Sequence, residues 1–161
     1  MAIRSVALAG MVSDTSLYNI DGACVVGGIA AIPVGNVVGV TSAQPVDGHK
    51  VVAATDITAD NVLGVVVRSH YETPDGTAKV QEAVNVMTAG RIWVRTSLTE
   101  APTFGDPVLV SATGLVEKTG AVATGWTFTG GYVSAYAGGA DPIKQGESVD
   151  GALVEVQVKQ K

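Results

Sequence analysis

Residues 84–96 read VNVMTAGRIWVRT, and their alternation has the period of two that is typical of a β-strand. One phase of this strand is apolar, whereas the other carries Trp93 between Arg91 and Arg95. Trp and Arg are the residue types that most often anchor protein interfaces. Alternatively, Trp93 belongs to the core and the two arginines extend past it into solvent. The spacing alone leaves both interpretations open.

The composition around this strand indicates an all-β protein. Valine occurs 28 times and leucine seven times, and 20 glycines and six prolines interrupt the chain at short intervals. Valine is stiff at its first side-chain torsion and packs well on a pleated surface. We therefore predict an antiparallel β-barrel or sandwich of about ten short strands.

The first 29 residues differ from the rest because they mix small apolar, polar and glycine residues without sustained alternation. We predict that residues 1–29 form an irregular N-terminal arm or lead-in, with one strand near residues 23–26. The β domain then covers residues 30–161. The apolar patch after Arg4 is too short for a secretion signal, and no window reaches the length of a membrane span.

The second half of the chain resembles the first. Residues 35–40 read GNVVGV and residues 105–110 read GDPVLV, at an offset of 70. We predict two half-repeats, residues 30–97 and 98–161, although small β-units can also be alike by chance.

Two local signals interrupt the strand pattern. Ala89 and Gly90 predict a turn or a β-bulge inside the opening strand. Residues 97–100 read SLTE, which has the form of a helix capping box, but Pro102 would end a helix within one turn. We expect one short helical turn there.

Residues that carry enzyme chemistry are sparse. The two histidines, His49 and His70, lack neighbouring ligands at zinc-site spacing, and Cys24 stands alone in an apolar run. No sequence of the nucleophile-elbow or phosphate-loop type is present. We therefore expect no metal, no cofactor and no catalytic activity.

The charge of the chain indicates the kind of partner. The formal net charge is −5 and no basic run occurs, which argues against a groove that follows nucleic-acid phosphates. Charged residues make up only 16% of the chain, below the usual quarter. A surface so poor in charge suggests contact with a partner or with copies of the same chain.

Tyr132 and Tyr136 stand four residues apart on one phase of a predicted strand, and they complete the candidate interface of Arg91, Trp93 and Arg95. Were Tyr132, Tyr136 and Trp126 exposed together, the chain could instead be a carbohydrate-binding or tail-associated module. A β-rich nucleotide hydrolase is a further alternative, although no glycine-rich tail motif supports it.

Several of these segments resemble the head decoration, or cement, proteins of tailed bacteriophages. The resemblance lies in VNVMTAGRIWV at residues 84–94 and FGDPVLVSATGLVEKTG at residues 104–120, and in the upstream segments IPVGNVVGV and NVLGVVVRSHYE. It covers residues 30–158, and each motif is short and built from common β-strand residues.

The resemblance implies a structural virion protein without catalytic activity. Such a protein adds to the outside of an assembled capsid after synthesis in the host cytoplasm. It holds neighbouring major capsid protein subunits together, usually as a dimer or trimer at a symmetry axis. Neither a membrane nor direct nucleic-acid contact is implied.

Overall fold

The computed structural model describes four parts of the chain: residues 7–41, 48–69, 76–138 and 146–159. Across these parts the backbone forms strands, turns and bends, and none of it is helical. Accordingly, they include no helix with the length and hydropathy needed to cross a membrane. His70, considered above as a metal ligand, lies outside the described residues.

Strands account for the regular structure of these parts, as expected for a chain dominated by a β-branched residue. In order they are β1 Val12–Val26, β2 Ile32–Pro33, β3 Val37–Val40, β4 Lys50–Ala53, β5 Val62–Val66, β6 Thr77–Ala78, β7 Ala83–Arg95, β8 Pro107–Val110, β9 Val116–Glu117, β10 Val122–Ala135, β11 Glu147–Ser148 and β12 Leu153–Val158. The predicted all-β class is confirmed.

Ten strands form one sheet, in the order β1-β4-β3-β5-β7-β12-β10-β8-β9 with β11 beside β10, and β2 pairs separately with β6. Because β1 also pairs with β7, strands β1, β4, β3, β5 and β7 close a first ring. A ring with an odd number of strands cannot be antiparallel throughout, and its parallel contact falls between β1 and β4. The β10–β11 pairing is also parallel, and the other strand pairings are antiparallel as predicted.

A second ring contains β7, β12, β10, β8 and β9. It is closed by Thr96, which directly follows β7 and makes a parallel bridge to Val116 in β9. The Thr96 hydroxyl donates to the Val116 carbonyl at 2.8 Å, and the Ser97 amide donates to the same oxygen at 3.0 Å. Both rings therefore keep most strand edges paired.

The buried apolar side chains form two cores, and β7 contributes to both; Val37, Val62 and Val65 of the first ring join the second core. Val84 and Val86 belong to the first core, whereas Ile92 and Val94 belong to the second. All four side chains are buried. Further members of the first core include Val26, Val38, Val52 and Val66, and further members of the second include Val108, Val110, Trp126, Phe128, Val154 and Val156.

A β-bulge in β7 changes the face that its side chains present. The pairing with β1 passes from Asn19 opposite Ala89 to Ile20 opposite Met87, so Thr88 is an additional residue. The Asn19 amide donates to the buried Thr88 hydroxyl at 2.7 Å and satisfies it. The predicted bulge is confirmed, and because it shifts the alternation by one residue, Met87 and Ile92 face the same core although they are five positions apart.

The N-terminal region is more regular than the sequence indicated. The strand expected near residues 23–26 begins at Val12 and pairs with β7 through several register shifts. Between Asp14 and Asn19, residues 15–18 bulge outward. A Cβ built on Gly90 would lie 2.8 Å from the Cβ of Tyr18, so this loop passes directly over Gly90.

The helical turn expected at residues 97–100 is wrong. The structure has bends at Thr99 and Glu100 and no helix. The Leu98 amide donates to the Thr96 hydroxyl at 3.0 Å instead. Thr96 is held by the ring closure described above, so a local side-chain bond competes successfully with a first helical turn.

Apart from β1 and β11, the sheet order is symmetric about the β7–β12 pair, with β4-β3-β5-β7 on one side and β12-β10-β8-β9 on the other. At the offset of 70, the amide–carbonyl bond from Asn36 to Pro33 has a counterpart from Asp106 to Thr103, both at 3.2 Å. Gly35 and Gly105, which precede them, both have positive φ. We propose on this basis that residues 30–97 and 98–161 are half-repeats.

We expect Gly90→Ala to cost about 2–3 kcal/mol of unfolding free energy, because a side chain there meets the backbone of the loop above it. Gly90 also has a φ of 124°, which disfavours alanine. Urea unfolding followed by tryptophan fluorescence measures the loss.

Gly28→Ala is the matched control, because Gly28 also has positive φ but has open space around it. It should lose only about 1 kcal/mol, the cost of the left-handed backbone. Equal losses in the two variants would contradict close packing of the loop on Gly90.

Candidate contact surface

The face of β7 that carries the two arginines runs from solvent into the interior. Arg91 is exposed, whereas Trp93 and Arg95 are half-buried. The Arg95 guanidinium donates to the carbonyl oxygens of Val34, at 2.8 Å, and Asp150. Burial lowers the pKa of Arg95, although the nearby Asp150 carboxylate opposes the shift. The Arg95 guanidinium is therefore bonded to carbonyl groups of the same chain. The other end of this face, at Arg91, is exposed to solvent, and we call it the open end.

Trp93 stands at the boundary between these ends. Its indole packs beside the first core, and a Cβ built on Gly131 would come within 2.8 Å of its ring. Glu155 lies opposite Trp93 on β12. The ring therefore covers a glycine on β10 and contributes to packing within the chain, as the core interpretation of this residue expected.

A polar network fixes the N-terminal segment beneath the Arg95 end. The Asp150 carboxylate accepts from Arg68, at 2.8 Å, and from the Ala9 amide, at 3.0 Å. Arg68 also donates to the Ala9 carbonyl at 2.9 Å. Sequence reasoning missed this network because its members are separated by 59 to 141 residues and carry no motif.

The open end belongs to a row of side chains that crosses five strands. Pairing places Asp14, Arg91, Gln157, Thr127 and Pro107 next to one another, on β1, β7, β12, β10 and β8. None of the five is buried. Four inter-strand spacings make this row about 19 Å long. Its middle three positions carry a single formal charge, on Arg91.

Between Asp14, the first residue of this row, and Asn19, the segment that passes over Gly90 exposes two apolar side chains. Leu17 is 87% exposed and Tyr18 is 50% exposed. We define the contact face as the five-residue row together with Leu17 and Tyr18. Sequence reasoning placed these two residues in the lead-in and missed them, although LY between the polar residues Ser16 and Asn19 was a visible signal.

The tyrosines and Trp126 do not join the contact face. Trp126 is 2% exposed in the second core, so the joint exposure that the carbohydrate-binding alternative requires is not met. Tyr132 is half-buried against the second core and donates its hydroxyl to the Leu98 carbonyl at 3.1 Å. Tyr136 is half-buried just beyond β10, where its amide donates to Ser148 at 2.8 Å. A ring platform for a sugar is therefore not formed by these three residues.

Titratable side chains are dispersed. Within the four described parts, no three His, Cys, Asp or Glu side chains are grouped closely enough to hold a metal ion. Cys24 is buried in the first core, and burial, reinforced by the Asp21 carboxylate, raises the pKa of its thiol to about 11.

Comparison with known proteins identifies the family of the chain. A family model described as structural cement protein (E217 gp24/Pam3 gp6) matches residues 2–159. The chain belongs to this family. The resemblance seen in the sequence is thus confirmed over nearly the whole chain, and the role of this cement protein is structural, the stabilisation of a phage capsid.

A solved structure shares the fold of the cement protein. A chain of the structure titled "The capsid of Myoviridae Phage XM1" superposes with a TM-score of 0.63 at 17% identity, covering 98% of this chain and 94% of that chain. At this identity the likeness concerns the fold alone. None of the curated proteins that were compared matches the chain.

We expect Asp150→Ala to lower the unfolding free energy of the cement protein by about 1–3 kcal/mol. The change removes the acceptor of the Ala9 amide and leaves the Arg68 guanidinium without its carboxylate. Urea unfolding measures the loss, and amide hydrogen exchange at residues 9–11 should accelerate.

Glu100→Ala serves as the control for Asp150→Ala, because its ion pair with Lys118, at 3.9 Å, is about 80% exposed on both sides. A pair of this kind contributes little to stability. If the two variants were equally stable, the network would not hold the N-terminal segment.

Cys24 should not react with a thiol reagent at pH 8 in the folded protein, because it is buried and its thiolate is scarce at that pH. One thiol per chain should become reactive in 8 M urea. A colorimetric disulfide reagent measures both states, and rapid labelling of the folded chain would contradict the placement of Cys24.

Proposed function

We propose that the chain binds the outer surface of an assembled phage capsid and joins neighbouring major capsid protein subunits without catalysing a reaction. The observation that carries this proposal is the contact face, a row of exposed and half-buried residues whose middle three positions carry one charge, together with the exposed Leu17 and Tyr18. Aromatic and arginine side chains in such a setting are typical anchors of protein interfaces.

The rigidity of the fold supports a clamping role. Most strands are paired on both edges in the two rings, and the two cores share β7, so that the contact face rests on one stiff sheet. A stiff body that touches two subunits makes their separation break two interfaces together, and weak contacts then add up to strong retention.

We further propose that Arg91 is the central contact among the candidate residues and that Trp93 and Arg95 support it from below. Tyr132 and Tyr136 would contribute through a different surface, since Tyr132 packs on the core side of β10. Binding as a dimer or trimer at a symmetry axis agrees with the low charge of the chain. Addition to the capsid would follow synthesis in the host cytoplasm.

Purified chain added to heads that lack it should bind and raise the temperature at which the heads release DNA. The double change Leu17→Asp with Arg91→Glu should weaken binding by about 10- to 100-fold. It replaces an apolar anchor and a cationic anchor of the contact face with two negatively charged side chains. Co-sedimentation with heads measures binding, and dye access to DNA measures head stability.

Lys79→Glu is the control, since it repeats the two-unit charge change of Arg91→Glu at an exposed position away from the row. It should bind as the unchanged protein does. The variants should also unfold at the same urea concentration as the unchanged protein, so that lost binding is not lost folding. A chain that binds heads without stabilising them would refute the cement mechanism.

A further inference from the structure

We propose that a cleft beside Phe104 is a second contact site, which takes an apolar segment of a capsid subunit flanked by basic side chains. This inference rests on the proposed function and names the chemistry of the partner. The Phe104 cleft lies between residues 98–107 and strands β8 and β9. Its apolar lining includes Leu98, Pro102, Pro107, Leu109 and Phe128. Phe104 adjoins the cleft through Thr103, the preceding residue, which also lines it.

The exposure of Phe104 is the first argument. This side chain is 75% exposed, whereas Val34, its counterpart at the offset of 70, is completely buried. In the first half, β2 pairs with β6 beside Val34. In the second half the counterpart of β6 is β11, which pairs with β10 instead. The corresponding contact is therefore missing, and Phe104 remains available to another molecule.

The charges around the cleft indicate the partner's chemistry. Glu100, Asp106 and Glu117 line it together with one cation, Lys118, so its formal charge is −2. Lys118 lies 3.9 Å from Glu100, and both side chains are about 80% exposed. An apolar cleft with an acidic rim is complementary to an apolar segment that carries Lys or Arg.

The cleft is continuous with the contact face. Pro107 lines the cleft and is also the last residue of the row that begins at Asp14. Three inter-strand spacings separate Pro107 from Arg91, a distance of about 14 Å. One capsid side chain cannot cover both ends, whereas a capsid segment, or two neighbouring subunits, can.

A second copy of the chain fits the cleft less well than a capsid subunit does. The chain has a net charge of −5, so a copy approaching the acidic rim brings further negative charge. Repulsion of this kind lowers the association rate and the affinity. We therefore assign the cleft to a basic segment of the capsid subunit.

The test uses the full chain and heads of its own phage that lack it. Phe104→Ser should weaken binding to these heads by about 10- to 100-fold, as expected for loss of an aromatic anchor. Because Phe104 is mostly exposed, the urea midpoint should not change. Val149→Ser is the matched control, since Val149 is 60% exposed on a different turn, and it should bind normally.

A second set of variants tests whether the charges around the cleft contribute to binding. Glu100→Gln combined with Glu117→Gln should weaken binding and reduce its dependence on salt, because attraction to basic side chains is lost. Lys118→Gln should act in the opposite direction and strengthen binding. Equal salt dependence in all three proteins would overturn the assignment of a basic partner.

Cross-linking identifies the partner segment directly. In Phe104→Cys, the introduced thiol is the accessible one because Cys24 is buried. A photoreactive thiol label at position 104 should attach to a major capsid protein peptide that is apolar and contains Lys or Arg. The same label on Val149→Cys should not attach there, and attachment to an acidic peptide would overturn the proposal.

The outcomes separate this inference from the proposed function. If the unchanged chain binds and stabilises heads while Phe104→Ser does so equally well, the cleft assignment fails and the cement role stands. If the unchanged chain does not bind heads, the proposed function fails. If Phe104→Ser instead lowers the mass of the chain in solution, the cleft holds a second copy and the capsid assignment is overturned.

Discussion

Strand β7 is the element on which the rest of the structure depends, because it must be paired along both edges and buried on parts of both faces. The first part of β7 pairs with β1 and β5 in the first ring, and its second part pairs with β12 in the second ring. A regular strand keeps each face on one side throughout. The extra residue Thr88 changes the phase, so one strand can supply valines to two cores.

Ring closure with an odd number of strands explains the parallel contacts. Each ring has five strands, and each contains one parallel contact, β1 with β4 in the first and Thr96 with Val116 in the second. Closure removes strand edges that would otherwise pair with other chains. Because few strand edges remain unpaired, other chains cannot readily associate with this one by backbone pairing. Association then depends on contacts between side chains.

We trace the proposed contact sites to differences between the two proposed half-repeats. The first half buries its turn residue Val34 with its own strands and the N-terminal segment, whereas the second half leaves Phe104 outside. The loop over Gly90 exposes Leu17 and Tyr18. Such exposed apolar groups give the fold no stability, so contact with a partner is the reason we assign to them.

The sequence by itself determined the all-β class, the strand around Trp93, the bulge near Gly90 and the family, because each depends on local alternation, glycine conformation or short motifs. Only the tertiary structure decided that Arg95 turns inward, that Trp126 is buried and that Leu17 is exposed. Burial depends on pairing between residues far apart in the chain. The alternation of residue types predicts that a strand has two different faces. It does not predict which face another strand, distant in the sequence, will cover.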